Sequence, residues 1–435
     1  MGTHRLDRLL DCLHEDQGIV TGRLENLRLS SHYQPIFSLS HARVVGHEAL
    51  LRARNDADQF VSPLDVFGNC KTPADLAVCD SLSRLVHMAN FTASRPQSQW
   101  LFLNVHPDVF QLLCKRGQEH GDAYMRTVFE HFGITGDSLV LEVLESTLSD
   151  LPAFEAAMAT VRNHGCLIAI DDFGAGHSNF DRVWRLQPDI VKLDRSLVVR
   201  AARDRRAQRV VSQMVSLLHE CGSMVLMEGI ETAEEALLAM EADIDMVQGY
   251  FFGRPQPALI PTGHVPESIT RLYAGLSQRR REQRVQHRSR IAPYRHAIGN
   301  AGILLSAGHS MLDACRSFVE LPGAELCYVL DEEGYQIGPH LRSENAEVVS
   351  QVAYEPLRSS AGACWSRRPY FRRAIENVGK VQITRPYRTL HGNHTCVTAS
   401  FAYLQLQADG SNALRVVCGD LVWLDWLLEM DEGDA

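Results

Sequence analysis

Hydrophobic positions in this chain fall into short, solid runs separated by longer stretches of helical period. Eight runs stand out: YQPIFSL (33–39), RVVGHEALLR (43–52), QWLFLNV (99–105), SLVLEVLE (138–145), CLIAIDD (166–172), DIVKLD (189–194), SMVLMEG (223–229) and DMVQGYFF (245–252). Between most of them apolar residues recur at three- and four-residue intervals, which predicts helices over 74–89, 153–163, 203–221 and 233–242. Strands apolar on both faces and separated by helices make a parallel sheet with helices outside. Seven or eight such units over about 230 residues predict a closed α/β barrel of the TIM type, (β/α)8. An open doubly wound sheet is the alternative. It is disfavoured because no glycine-rich phosphate fingerprint follows the first strand.

The flanking regions read differently. Leu6, Leu9, Leu10 and Leu13 predict a short amphipathic helix over 5–14 within an N-terminal segment, 1–27. The barrel is expected over 28–264. Residues 265–299 form an arginine-rich helical linker carrying Arg279, Arg280, Arg281, Arg284, Arg288 and Arg290. A charge run of this kind is usually a solvated face. From 300 to 435 the pattern is α+β: helices over 301–319 and 366–377, and about five strands within 326–422, predict one antiparallel sheet with helices on one side.

Composition narrows the setting. The chain has 435 residues, 45% of them hydrophobic and 22% charged, as in ordinary globular proteins. Its net charge of -10 argues against a partner that is polymeric nucleic acid. The 11 cysteines are scattered without a C-x-x-C pair, which fits free thiols in a reducing compartment. The first residues lack an apolar signal core, and no run of 18 apolar residues predicts a membrane span. A cytoplasmic location is the expectation.

The chemical signal is the repeated placement of acids and amides at strand ends. Glu48, Asn104, Glu142, Asp171, Asp172, Lys192, Glu228 and Gln248 each lie in or at the end of an apolar run. A carboxylate there is costly to bury unless it is paired or metal-bound. One such acid has a bland explanation, such as a helix cap or an ion pair. Several on successive strands point to a common site, because the strand ends of a parallel barrel converge on one face. Oxygen-rich clusters suit hard cations, Mg²⁺ or Mn²⁺, and the adjacent Asp171–Asp172 pair suits two of them. Two metals can clamp the attacking and leaving oxygens of a phosphoryl transfer. The histidines form no comparable cluster, and alternation turns His47 away from Glu48.

The strings around these residues resemble the EAL-domain family of cyclic di-GMP phosphodiesterases. Glu48-Ala49-Leu50-Leu51-Arg52 matches the name-giving motif and follows Tyr33-Gln34-Pro35-Ile36. Leu103-Asn104-Val105, Glu142-Val143-Leu144-Glu145, Asp171-Asp172-Phe173-Gly174-Ala175-Gly176 and Val191-Lys192-Leu193-Asp194 come next, then Glu228-Gly229-Ile230-Glu231-Thr232 and Gln248-Gly249-Tyr250-Phe251. The resemblance covers about residues 28–262.

It implies a TIM-type barrel with one antiparallel strand and a hydrolase that opens cyclic di-GMP to linear pGpG. It implies that Glu48, Asn104, Glu142 and Asp171 bind a first metal, and that Asp171, Asp172 and Glu228 hold or orient a second. Lys192 would position the attacking water. Gln34, Leu51, Arg52, Asp172 and Gln248 would contact the substrate, with Arg52 on a phosphate. Glu231 would hold the loop from Asp172 to Asn179. Two departures, His106 after Asn104-Val105 and Gly176-His177-Ser178-Asn179 in the loop, remove no ligand. The alternative is a non-catalytic cyclic di-GMP receptor that signals through its C-terminal domain. Arg368-Pro369-Tyr370-Phe371, Val381–Tyr387 and Cys396–Ser400 resemble PAS-like domains of the Cache type, which implies a sensory or dimerisation module, or a structural cap, and a homodimer.

Overall fold

The computed structural model describes residues 2–94, 98–110, 118–144, 151–176, 180–263, 267–344, 360, 362–389 and 394–423. Helix α1 (Gly2–Leu10) stops short of the predicted residue 14. A hairpin of β1 (Leu13–Asp16) and β2 (Ile19–Leu24) takes over. Its turn residues Gln17 and Gly18 have φ of 50° and 79°, the left-handed pair a two-residue hairpin turn requires. The predicted helical segment 1–27 is therefore helical only at its start, and β2 pairs with the first barrel strand.

The barrel alternates strands and helices. Strands β3 (Leu27–Ser38) and β4 (Arg43–Asn55) are followed by β5 (Phe60–Val61), α2 (Pro63–Gly68) and α3 (Pro73–Ala93). Then come β6 (Trp100–Asn104), α4 (Gln118–Phe132), β7 (Leu139–Leu144), α5 (Leu151–Asn163), β8 (Leu167–Phe173), α6 (Phe180–Leu186) and β9 (Ile190–Leu193). The run closes with α7 (Arg195–Arg203), α8 (Arg205–Glu220), β10 (Met224–Met227), α9 (Ala233–Glu241) and β11 (Met246–Val247). The helix predicted over 203–221 is α8, which starts after Asp204; that residue leaves helical geometry, separates α8 from α7 and caps it through Arg206 N. Threonines 72 and 232 form capping boxes with Asp75 and Glu235 at the starts of α3 and α9.

Eight strands close in the order β3-β4-β6-β7-β8-β9-β10-β11, with β11 returning to β3. Strand β3 runs antiparallel to both neighbours, and the other pairings around the barrel are parallel. All eight predicted strands are present. The outer faces pack against the helices in one extensive apolar core. The inner faces form a second, smaller core, one residue per strand: Ile36, Phe102, Val140, Ala169, Ile190, Leu226 and Met246. On β4 the equivalent place is Gly46, where a Cβ would meet Trp100 O at 2.8 Å. This layer fixes the register of everything above it.

The chain divides into two compact units, Met1–Arg279 and Arg280–Ala435. Helix α10 (Glu267–Ser306) runs through the predicted linker. Its Ile269, Leu272 and Leu276 join the barrel's outer core. In the second unit, Ile298, Ala301 and Leu305 join a separate core. The helix predicted over 301–319 breaks at Gly308, φ 86°, and restarts as α11 (Met311–Val319) behind the Ser310 cap.

The second unit is built on an antiparallel sheet of β12 (Ala324–Leu330), β13 (Gln336–Arg342), β14 (Gln382–Ile383), β15 (Tyr387–Arg388), β16 (Thr395–Leu406) and β17 (Asn412–Val422). Its order is β13-β12-β17-β16-β14, with β15 also on β16. Helices cover both faces, not one as predicted. Cys327 and Val329 of β12 pack with Phe318 of α11. Leu326, Tyr328 and Leu330 pack on the opposite face with Tyr370, Phe371 and Ala374 of α12 (Pro369–Glu376). Strand β12 is buried at every position, so both faces need a cover. Among the described residues no helix is long and apolar enough to cross a membrane, and the cysteines are free thiols.

Candidate active site

Side chains alternate along a strand, so the residue two positions beyond each inner-core residue faces the same interior. Those positions are Gln34 on β3, Glu48 on β4, Asn104 on β6, Glu142 on β7, Asp171 on β8, Lys192 on β9, Glu228 after β10 and Gln248 after β11. An apolar layer therefore carries a polar ring directly above it, at the C-terminal ends of the parallel strands. The ring gathers eight of the residues singled out from the sequence.

The contacts within it are dense. Lys192 Nζ lies 2.5 Å from Glu142 Oε1, 2.6 Å from Glu228 Oε1 and 3.2 Å from Asp171 Oδ1. Glu48 accepts from Asn104 Nδ2 at 2.9 Å and from Gln248 Nε2 at 2.7 Å. Gln34 Nε2 donates to Gly253 O at 3.3 Å.

Asp172 arrives differently. Alternation alone would turn it outward. The β8–β9 register shifts between Ile170 and Phe173, and Asp172 has φ of 58°. This bulge, with a non-glycine residue in left-handed geometry, re-aims a side chain that a regular strand would waste. Asp171, Asp172 and Glu228 consequently offer carboxylate oxygens within 4.8 Å of one another.

Electrostatics mark the ring as short of positive charge. Five carboxylates, Glu48, Glu142, Asp171, Asp172 and Glu228, face the single ammonium of Lys192. Burial, with help from the other acids, raises Glu142 well above the usual carboxylate range despite Lys192. Burial likewise pushes Glu228 up to about 8 and raises Asp172. For Lys192 burial works against the charge, but Asp171, Glu142, Glu228 and Glu48 outweigh it, and its pKa stands well above that of an ordinary lysine. Glu142 Oε2 and Gln248 Oε1 are buried and have no hydrogen-bond partner among the described residues. Unused buried oxygens in an acid-rich ring are the donor chemistry of hard divalent cations, so the residues present fit such ions.

Other predicted residues fall outside the ring. Arg52 is half-buried further along β4, and its Nη1 donates to Leu51 O at 2.9 Å. The Leu51 side chain belongs to the outer apolar core, away from the ring. Its odd position relative to Glu48 is the reason. Glu231 is exposed, pairs with Arg195 at the start of α7, and is held below the usual carboxylate range by that hydrogen bond. Residues 177–179, which it was predicted to order, lie outside the described residues, as does Glu145. His47 is buried facing away from Glu48, accepts from Ile260 N at 3.0 Å, and is lowered to about 4 by burial.

One supporting residue escaped the sequence. Asp80 on α3 is buried, pairs with Arg84, and accepts from the backbone N of His106 at 3.0 Å, two residues after Asn104. An acid inside a helix of mixed polarity carries no mark of that reach.

A sequence profile of the EAL domain matches residues 18–255. Over 240 residues the chain is 28% identical to the cyclic di-GMP phosphodiesterase RocR of Pseudomonas aeruginosa, covering 54% of this chain and 59% of that protein. It is 24% identical over 368 residues to the EAL-domain containing protein YkuI of Bacillus subtilis, covering 81% and 85% of the two. The match spans only 33% of a relative from Azorhizobium caulinodans. The crystal structure of YkuI, in complex with substrate c-di-GMP and calcium, shares the fold with a TM-score of 0.75 at 20% identity, covering 97% of this chain and 99% of that one.

Proposed function

From the premise that this chain belongs to the EAL-domain family, we propose that its barrel hydrolyses cyclic di-GMP to linear pGpG. The polar ring at the strand ends is the observation that carries the reading, above all the ammonium of Lys192 set among Glu142, Asp171 and Glu228. The similarity to RocR, a protein named for this activity, supports the substrate.

Two divalent cations, Mg²⁺ or Mn²⁺, held by Glu48, Asn104, Glu142 and Asp171 on one side and by Asp171, Asp172 and Glu228 on the other, would offset the acidic charge and polarise the scissile phosphate. Lys192, kept protonated, holds the attacking water through its Nζ and steadies charge on the phosphoryl oxygens. The water oxygen bonds to phosphorus, its proton passes to a neighbouring carboxylate, and that carboxyl returns the proton to the 3′ oxygen as the P–O3′ bond breaks. Asn104 and Gln248 fix both oxygens of Glu48. Gln34 and Arg52 bind the nucleotide, Arg52 on a phosphate, and Leu51 contributes through its backbone. Glu231, paired with Arg195 at the start of α7, steadies the loop that begins at Asp172.

The unit from residue 280 onward, with its own cores, serves in this reading as a PAS-like sensory and dimerisation module, and the working form is a homodimer.

The test is incubation of the full chain with cyclic di-GMP and Mg²⁺ or Mn²⁺, followed by chromatography. pGpG should form, and Glu48→Ala should abolish it. Saturable binding without product in both metals would leave a receptor and overturn the enzyme.

A further inference from the structure

We propose that the barrel carries a second, apolar ligand site on the outer side of β6 and β7, sized for a neutral molecule of one aromatic ring. A pocket of about 170 Å³ lies between these strands and helices α3, α4 and α5. Leu103 and Leu141 form its floor, and Met125, Phe129, Ala157 and Val161 line its walls.

Native interiors rarely leave voids much larger than a water molecule, and unfilled volume lowers stability in proportion to its size. This pocket, open on one side and not sealed, matches in size the roughly 150 Å³ engineered apolar cavity that takes up benzene. Its polar groups are committed elsewhere. Arg84 pairs with Asp80. The Thr160 hydroxyl donates to Ala156 O at 3.2 Å. The Cys166 thiol is pushed up to about 12 by burial and stays uncharged. Nothing there would hold an ion, and little would hold ordered water. The rings of Phe110 and Phe129 and the thioethers of Met88 and Met125 favour a flat, polarizable ring over a straight alkyl chain. The small side chain of Ala157 leaves the volume open.

The position ties the pocket to the site. Leu103 precedes Asn104, and Leu141 precedes Glu142, on the same two strands. A ligand seated here presses on the backs of strands that present polar-ring residues on their other face.

The experiment uses the full chain with benzene and indole as probes, followed by calorimetry and thermal unfolding. Both should bind saturably, compete with each other, and raise the melting temperature. Ala157→Phe, which fills the pocket, should weaken binding at least tenfold while far-ultraviolet circular dichroism stays unchanged. Ala157→Leu, a smaller intrusion, should weaken it less. No saturable binding of either probe to the unaltered chain overturns the proposal, as does undiminished binding in both folded variants. The readout is binding, so it stands or falls separately from cyclic di-GMP hydrolysis.

Discussion

Lys192 and Glu142 form an ion pair whose side chains are 1% and 0% exposed, at a contact of 2.5 Å. A pair shut away in this manner is stabilising only as long as both members are present. Replacing Lys192 by Met removes the counter-charge, and Glu142, already raised well above the usual carboxylate range, must take up a proton to stay buried; the loss is at most the roughly 3–5 kcal/mol of comparable broken pairs. Metal-free Lys192→Met should therefore unfold at clearly lower urea than the unaltered chain. Lys192→Met with Glu142→Gln should recover much of that stability and none of the phosphodiesterase activity. Urea titrations of the single and double variants measure the coupling. Independent, additive losses would show that the pair is not the unit described.

The acid-rich ring predicts that metal binding expels protons. Burial places the pKa of Glu228 at about 8, against an ordinary 4.5. A raised pKa means that the metal-free fold favours the protonated carboxyl. The associated stability is full below about pH 4.5 and is lost as pH rises through about 8. A cation binds the deprotonated form and so must displace the proton. Apparent Mn²⁺ affinity should rise between pH 6 and pH 8 and then level. Calorimetry in buffers of different ionisation enthalpy should show proton release at pH 6.5, reduced in Glu228→Gln. Affinity independent of pH over this range would contradict the assignment.

Much of this site was legible because each polar residue interrupts an apolar strand at its end. The sequence pattern placed Glu48, Asn104, Glu142, Asp171, Lys192, Glu228 and Gln248 at the ends of seven of the eight barrel strands, and the structure gathers them with Gln34 of the remaining strand, β3, into one layer. What remained hidden depends on backbone detail. The outward parity of Leu51 follows from its distance to Glu48, yet the family motif drew it into the site. The bulge that turns Asp172 inward has no signal in residue types. The hairpin at Gln17–Gly18 was masked by the leucine spacing before it. Helices on both faces of the second sheet follow from β12 being buried at every position and apolar from Leu326 to Leu330, whereas a count of strands and helices carries no information on faces.

Gly249 tests how rigidly the ring is held from below. A Cβ there would lie 2.0 Å from Ile230 O and 2.3 Å from Ile230 N, both backbone atoms that cannot swing aside. Gly249→Ala must shift the chain just after Gln248, whose amide fixes Glu48 at 2.7 Å. The expected result is a loss of about 2–4 kcal/mol in stability and a fall in turnover of at least tenfold at saturating metal. Thermal unfolding and product analysis on the same preparation check both. A variant with unaltered melting temperature would mean that the close approach is relieved without cost.

The second unit carries its own titratable core group. Asp420 on β17 is buried and accepts from Thr398 Oγ1 at 2.6 Å, and Thr398 is in turn bonded to the Tyr387 hydroxyl at 2.6 Å. Burial pushes Asp420 up to about 7 from 3.8, against the lowering effect of the Thr398 hydrogen bond. The folded pKa lies above the unfolded one, so the contribution is complete below about pH 3.8 and disappears as pH climbs through about 7. A difference of this size corresponds to a few kcal/mol, on the order of 1.4 per pH unit. Asp420→Asn keeps an acceptor for Thr398 and removes the ionisation. Between pH 5 and pH 8 the unaltered chain should lose hydrogen-exchange protection in β16 and β17, while Asp420→Asn should hold its protection nearly constant. Mass spectrometry of peptides from 395–422, corrected for intrinsic exchange, gives the comparison. Parallel pH profiles for the two proteins would show that Asp420 does not set the pH response of this unit.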